Sequence, residues 1–456
     1  MNASVTPDTP IMIRRNGDIE RTTIGKLANE YFNDSFSKYA FPKDVEILSI
    51  DKDFRVSFMP VKNISRHKVD KIARIKFEGG EVKTTLEHSL IILDENCNLK
   101  SVKASELKEG DILISFKTEI DGSKVELDLR EFAPKKLIEI KRNGKVRFLR
   151  NTTVKKILEK IEANENIAWF FGSFLAEGCV SFGTSGSVIF TYGYPQEIPM
   201  VSKASSVVSK LGFNYSTHVI RSGSSGKKSG IQLTIPSTQL ARFFAKYFYF
   251  NGKKIARFKK IPSFVFNWPI GLRYSFLQGY MGDAAGKCGE YLRYSSASKE
   301  ALIDLTWLGR ISNLDTSCFS REARIVWKSP SYFYSRDELI PALPIIKFLE
   351  RIGSKLKFNW RYLLRHQLYS KKSKRMEKKL AKKILEMVEK LDLNEEEKLQ
   401  LEKLKKLVNS NLYFVKIKKI EIEDYDGYVY DVSVPGSEMF FGGTAPILLH
   451  NSDARG

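Results

Sequence analysis

Two ends of this chain carry residues whose types and order can do covalent chemistry on the backbone itself. Near the C-terminus stands His450-Asn451-Ser452. An asparagine can attack its own peptide carbonyl through the side-chain amide, cutting the chain after itself and leaving a succinimide. His450 beside it would polarise that carbonyl or shuttle the proton. Ser452 places a hydroxyl nucleophile just past the cut. Near the start, the Ser4 hydroxyl can take the Ala3 acyl group from nitrogen to oxygen and give an ester, if the amide is distorted and donors face it. Thr85-Leu86-Glu87-His88 offers such donors, with His88 able to protonate the departing nitrogen. A lone histidine is more often a core or surface residue; the company of Ser4 and His450-Asn451-Ser452 reverses that reading.

These residues are far apart in sequence, so elements with long-range pairing must bring them together. The first ~118 residues read as short strands separated by turns, with Asn16-Gly17 as a hairpin signal. A second turn is expected at Gly79-Gly80 and a third at Gly110-Asp111. From ~155 to ~365 the texture changes to helices alternating with Ser/Gly-rich strand pairs, an αββα rhythm whose second cycle begins near Leu272. Residues 371–408 read as two charged amphipathic helices, with Met376, Leu380, Ile384, Met387 and Leu391 as the apolar stripe and Asn394 as an N-cap. Strand texture then resumes, which predicts one β domain split by a long insertion.

Four blocks in this order resemble the intein, or Hint-domain, family: SVTPDTPIMIRRNG, TTLEHSLII, YVYDVSVPGSEMFFGG and APILLHN followed by Ser452. The resemblance covers about the first 118 and last 45 residues. It implies a horseshoe-like β fold holding both junctions together. The steps it implies are acyl shift at Ser4, transesterification to Ser452, cyclisation of Asn451 and ester-to-amide rearrangement, with no cofactor. Asp431 matches an aspartate often involved in coordinating these steps; a structural carboxylate at a turn or strand end is the other reading. Glu438 stands where the family often has a histidine. Ser4 replaces the cysteine of many relatives, either natively or by a change made to trap the precursor. Joining the flanks gives MNASDARG, which resembles a stretch of the replication factor C small subunit, with Ala454 in place of a glutamate. That subunit is the expected host.

The segment Trp169 to Gly178 is similar to the signature helix of LAGLIDADG homing endonucleases, and Phe276 to Gly286 reads as a second copy. The small residues Gly172 and Ala176 suit a close helix crossing. The resemblance implies that Glu177 and an acid from the second copy hold Mg²⁺ against DNA phosphates. Matching Gly279 to Gly172 puts Ala284 opposite Glu177, and matching Gly286 to Gly178 puts Ala285 there. Either register leaves alanine in the second acid's place, with Asp283 as the nearby carboxylate, and predicts poor DNA cleavage. Lys260, in a Lys259-Lys260-Ile261-Pro262 block, is the expected active-site lysine. Arg221, Lys227, Lys228, Gln232 and Lys259 are candidate DNA contacts, along with His218; surface residues of no special role are the alternative for each.

Bulk properties fit. A net charge of +22 favours a polyanionic partner, here a double-stranded DNA homing site. Cys97, Cys179, Cys288 and Cys318 form no CxxC pair, which argues against a disulfide framework or structural zinc and for a reducing, cytoplasmic setting. No apolar run is long enough for a membrane helix, and the first residues lack a signal pattern. The expectation is a multidomain monomer. Residues 4–118 and 409–451 form an all-β Hint domain, and 119–154 a linker or DNA-contacting subregion. An α/β LAGLIDADG domain of two pseudo-symmetric αββαββα units spans 155–370, and 371–408 is a helical connector. Residues 1–3 and 452–456 are host remnants. A DNA-binding regulator with degenerate LAGLIDADG helices and no splicing is the alternative; it does not need Ser4, Thr85, His88 and Asn451 together.

Overall fold

The computed structural model describes residues 4–34, 36–133, 157–183, 185–222, 227–282, 286–288, 291–320, 322–326, 339–369 and 374–451. The chain forms two compact units: Met1–Glu119 with Gly309–Phe319 and Arg324–Gly456, and Ile120–Leu308 with Ser320–Ala323. Among the described residues, no helix is long and apolar enough to cross a membrane.

The first unit is built on two β-sheets in which strands from the two ends of the chain alternate. Pro10–Arg15 and Asp18–Thr23 form the expected hairpin, paired from Pro10↔Thr23 to Arg15↔Asp18. Asn16 and Gly17 take φ of 51° and 84°, the left-handed pair that a two-residue turn of this kind requires. In the same sheet Pro10–Arg15 lies between Val45–Ile50 and the late strand Met439–Gly442. Met439–Gly442 pairs with Ile447–His450, which pairs in turn with Ser89–Leu93. The late strands are therefore inserted between early ones.

The second sheet is dominated by the ladder between Asn63–Phe77 and Leu412–Ser433, registered from Ile417↔Phe77 to Ser433↔Asn63. Gly80–Thr84 pairs back on Asn63–Phe77 through the expected turn, where Gly79 has φ of 89°. Ile13, Ile47, Ile75, Val82, Leu90, Val432, Phe440 and Leu449 pack between these elements as one core, each at most 3% exposed. These strands come from both ends of the chain, and the same unit also takes in Gly309–Phe319 and the helices Leu343–Arg351, Lys378–Glu389 and Glu395–Asn409.

The connector is helical but in a different phase. Met376 is taken by a short strand, Arg375–Glu377, opposite Ile340. The helix therefore starts at Lys378, and its buried stripe is Ala381, Ile384, Leu385 and Val388. The second helix, Glu395–Asn409, opens on the expected Asn394 cap. Asn394 accepts from the Glu397 backbone N–H while the Glu397 carboxylate accepts from the Asn394 N–H.

In the second unit the order helix Glu165–Glu177, strands Gly178–Phe182 and Gly186–Gly193, helix Ile198–Lys210, strands Ser216–Ser222 and Lys227–Ile235, helix Thr238–Tyr247 is one αββαββα cycle. Its four strands form one antiparallel sheet. The second cycle opens with the helix Ile270–Met281. The two opening helices cross at their glycines. A Cβ on Gly172 would stand 1.9 Å from the Phe276 carbonyl oxygen, and one on Gly279 1.9 Å from that of Trp169. Only glycine permits that approach.

Candidate functional site

The Thr85–His88 turn follows the strand Gly80–Thr84 and leads into Ser89–Leu93, and it contacts the N-terminal residues directly. Ser4 is wholly buried. Its backbone N–H donates to Thr85 Oγ1 at 3.1 Å, and its carbonyl accepts from the Thr85 N–H at 2.8 Å. Val5 continues the clamp: its N–H and carbonyl both bond Tyr430, each at 2.8 Å. The Ser4 amide that would be broken is thus held by a hydroxyl acceptor inside the fold.

On the other side of the same turn, Leu90 pairs with Leu449, one residue before His450. His88 is fully buried, and among the described residues neither ring nitrogen meets a hydrogen-bond partner. Burial pushes its pKa down to about 3, with nearby His450 adding to the effect. It is therefore neutral at pH 7, and must take a proton before it can hand one on to the departing nitrogen. An unpaired buried ring N–H costs roughly 1–3 kcal/mol and points to a functional reason for the site.

Asn451 is 2% exposed, and its N–H donates to the Glu438 carbonyl at 2.9 Å. Its side-chain oxygen is buried without a partner among the described residues. Glu438, standing where a histidine was the family expectation, holds φ of 56° and places Oε2 4.0 Å from His450 Nε2. Asp431 is 1% exposed, opposite Ser65 in the long ladder, and its Oδ1 accepts from the Val432 N–H at 2.9 Å. Ser452 lies outside the described residues. The structure thus brings Ser4, Thr85, His88, Asp431, His450 and Asn451 into one unit. It adds His67, which sequence reasoning missed, with Nδ1 3.5 Å from Ser4 Oγ.

A family model for the intein splicing domain matches residues 15–451, beginning past Ser4 and ending on Asn451. The chain belongs to the intein family. The intein is similar to a replication factor C small subunit from Methanocaldococcus jannaschii, at 44% identity over 100% of this chain and 24% of that protein. A replication factor C small subunit from Methanopyrus kandleri is 26% identical over 100% of this chain and 49% of its own length. The intein thus spans under half the length of these curated relatives. The crystal structure of a transcription factor IIB mini-intein shares 30% identity over 25% of this chain and 71% of that one, with a TM-score of 0.23. The family splices proteins autocatalytically.

In the second unit, Glu177 ends its helix half-buried, and its carboxyl pKa is raised by burial and by Glu197. Lys259, the neighbour of the expected Lys260, interacts with it. Lys259 is 7% exposed, and its ammonium donates to the carbonyls of Phe174 at 3.1 Å, Leu175 at 2.9 Å and Ala176 at 3.4 Å. Burial lowers its pKa to about 8 despite the opposing pull of Glu177. This corrects the expectation that Lys259 faces DNA, because its charge caps a helix C-terminus instead. Lys260, next in an extended segment, is half-buried, and its N–H bonds the Phe248 carbonyl at 2.9 Å.

Glu177, Lys259, Tyr280 and Tyr294 line a cavity of about 150 Å³. Arg221 is exposed, and His218 and Gln232 pair across the sheet on the face opposite the buried Leu233 and Ile235. Lys227 and Lys228 lie in the paired strand, but their side chains, like Asp283, Ala284 and Ala285, fall outside the described residues.

Proposed function

We propose that this intein excises itself between Ala3 and Ser4 and between Asn451 and Ser452, joining its flanks. The acyl shift to Ser4 Oγ comes first, then transfer to the Ser452 hydroxyl, then Asn451 cyclisation and rearrangement of the ester to an amide. The observation that carries this is the double engagement of one turn. Thr85 bonds Ser4 through both its backbone and its hydroxyl, and the strand leaving His88 pairs beside His450. The flanks and the similar replication factor C small subunits support that subunit as host. Intact mass spectrometry before and after warming tests this. Release of an intein ending at Asn451 together with a joined MNASDARG peptide is expected. An unchanged mass for both this chain and its Ser4→Cys variant would sink the assignment.

For the second unit we infer a DNA-binding element of the LAGLIDADG nuclease type, acting on a double-stranded homing site. The glycine-on-carbonyl crossing and the αββαββα cycle support it, as does the polar sheet face bearing His218 and Gln232, with Arg221 exposed further along the same strand. A twisted β-sheet of this kind fits a major groove. Mg²⁺ is the ion such nucleases use, but a hard dication wants several oxygen ligands. Among the described residues no group of three acids, histidines or cysteines could hold a metal, and Glu177 faces an ammonium. The described residues alone do not make up such a ligand set, and Ala284 and Ala285 supply no second acid. Binding without cutting is the expectation: a salt-sensitive gel shift on the uninterrupted host gene, and no Mg²⁺-dependent product. Efficient cutting of that DNA would refute it.

A further inference from the structure

Ser4 is a serine where a thiol would be the easier nucleophile, and a hydroxyl attacks well only when a base takes its proton. Its oxygen lies 3.5 Å from His67 Nδ1, within reach for a resting site whose hydrogen bonds tighten during reaction. His67 sits in Asn63–Phe77 opposite Val429, and Asp431 sits opposite Ser65. Residues two apart on a strand share a face, so His67 and Asp431 are diagonal neighbours on one face of the ladder. Arg66 and Lys68, flanking His67 in the strand, point to the other face, where both cations lie over the Tyr428 ring. Thr85 engages the amide nitrogen of Ser4, a different atom from the hydroxyl that lies near His67.

We propose that His67 is the general base of the first splicing step, a role that rests on the splicing assignment above. Ser4 Oγ forms a bond to the Ala3 carbonyl carbon while its proton passes to His67 Nδ1. The Ala3–Ser4 carbon–nitrogen bond then breaks, and the nitrogen gains one proton to become the free amine of Ser4. The proton lost by oxygen equals the one gained by nitrogen, and His67 ends neutral.

The full chain carrying Asn451→Ala and Ser452→Ala halts after this step, and hydroxylamine cleaves the resulting ester, releasing Met1–Ala3 in a mass assay. Adding His67→Gln should slow release by about 10²–10⁴-fold, the usual worth of a general base. The same change in a Ser4→Cys background should slow it by under about tenfold, because a thiol ionises unaided near pH 8.5. Equal losses in both backgrounds would mean a purely structural histidine and overturn the proposal, as would no loss with serine. A parent chain giving no hydroxylamine-sensitive bond, with serine or cysteine, would overturn the splicing assignment as well. Ester formation insensitive to His67→Gln would overturn the base alone.

Discussion

His88 would link the proposed splicing to the stability of its own unit, and acid is the perturbation that reveals the link. In the folded chain its pKa is pushed down to about 3 by complete burial, whereas in an unfolded chain it titrates near 6.5. The unfolded state therefore binds the proton first as pH falls. The contribution of neutral His88 is fully present above about pH 6.5 and is lost progressively toward pH 3. Linkage gives a loss of about 1.4 kcal/mol at pH 5.5 and about 2.7 kcal/mol at pH 4.5 relative to pH 7.5. The assay is amide hydrogen exchange in Ser89–Leu93, the strand that follows His88, on a chain held unspliced by Asn451→Ala. Opening free energies at pH 7.5, 5.5 and 4.5 would be compared with those of His88→Gln. The parent should lose stability faster than the variant by about the amounts given. Parallel pH curves would refute the reasoning, because they would mean that His88 is solvated or paired in the fold.

Other consequences follow from single contacts. Gly172→Ala or Gly279→Ala drives a methyl into a carbonyl oxygen at 1.9 Å, so each should cost at least about 1–3 kcal/mol and lower the melting temperature of the second unit. Their double variant should cost less than the sum, since both defects are relieved by one separation of the helices. Asn394→Ala removes a reciprocal cap and should destabilise the helix Glu395–Asn409 by about 0.5–2 kcal/mol, read by exchange in its first turn. Lys259→Met should raise the Glu177 pKa further, because the ammonium is the one influence holding it down; carbon-detected NMR titration of Glu177 reads this directly.

How much of this was legible in the sequence depends on whether chemistry or packing fixes the residue. Ser4 and His450-Asn451 stand out as the proposed junction residues because few side chains can break their own backbone, and Asn16-Gly17 is readable because its turn demands positive φ twice. Gly172 and Gly279 are readable as small residues, though the 1.9 Å approach that makes them obligatory is visible only in three dimensions. The misreadings are all of register. Met376 has the right period for the connector helix, yet pairing with Ile340 takes it into a strand and moves the buried stripe. Lys259 and Lys260 are adjacent in an extended segment, so their side chains diverge, and only the fold decides which ammonium meets the carbonyls beside Glu177.

His67 is the hardest case, because it lies 63 residues from Ser4 inside a strand whose alternation gives no catalytic spacing. Its position follows from two independent pairings: Asn63–Phe77 against Leu412–Ser433, and Val5 bridged between Tyr430 and Thr84. The first fixes the face His67 shares with Asp431, and the second carries Ser4 to that face. Slipping the first ladder by one residue would turn the imidazole to the other face, and slipping the second would move Ser4 away from both His67 and Thr85. The geometry around the Ser4 hydroxyl is therefore set by the fit of the last strands against the first. A chain lacking its final segment should lose the reactivity of Ser4 even though it keeps Ser4, His67, Thr85 and His88.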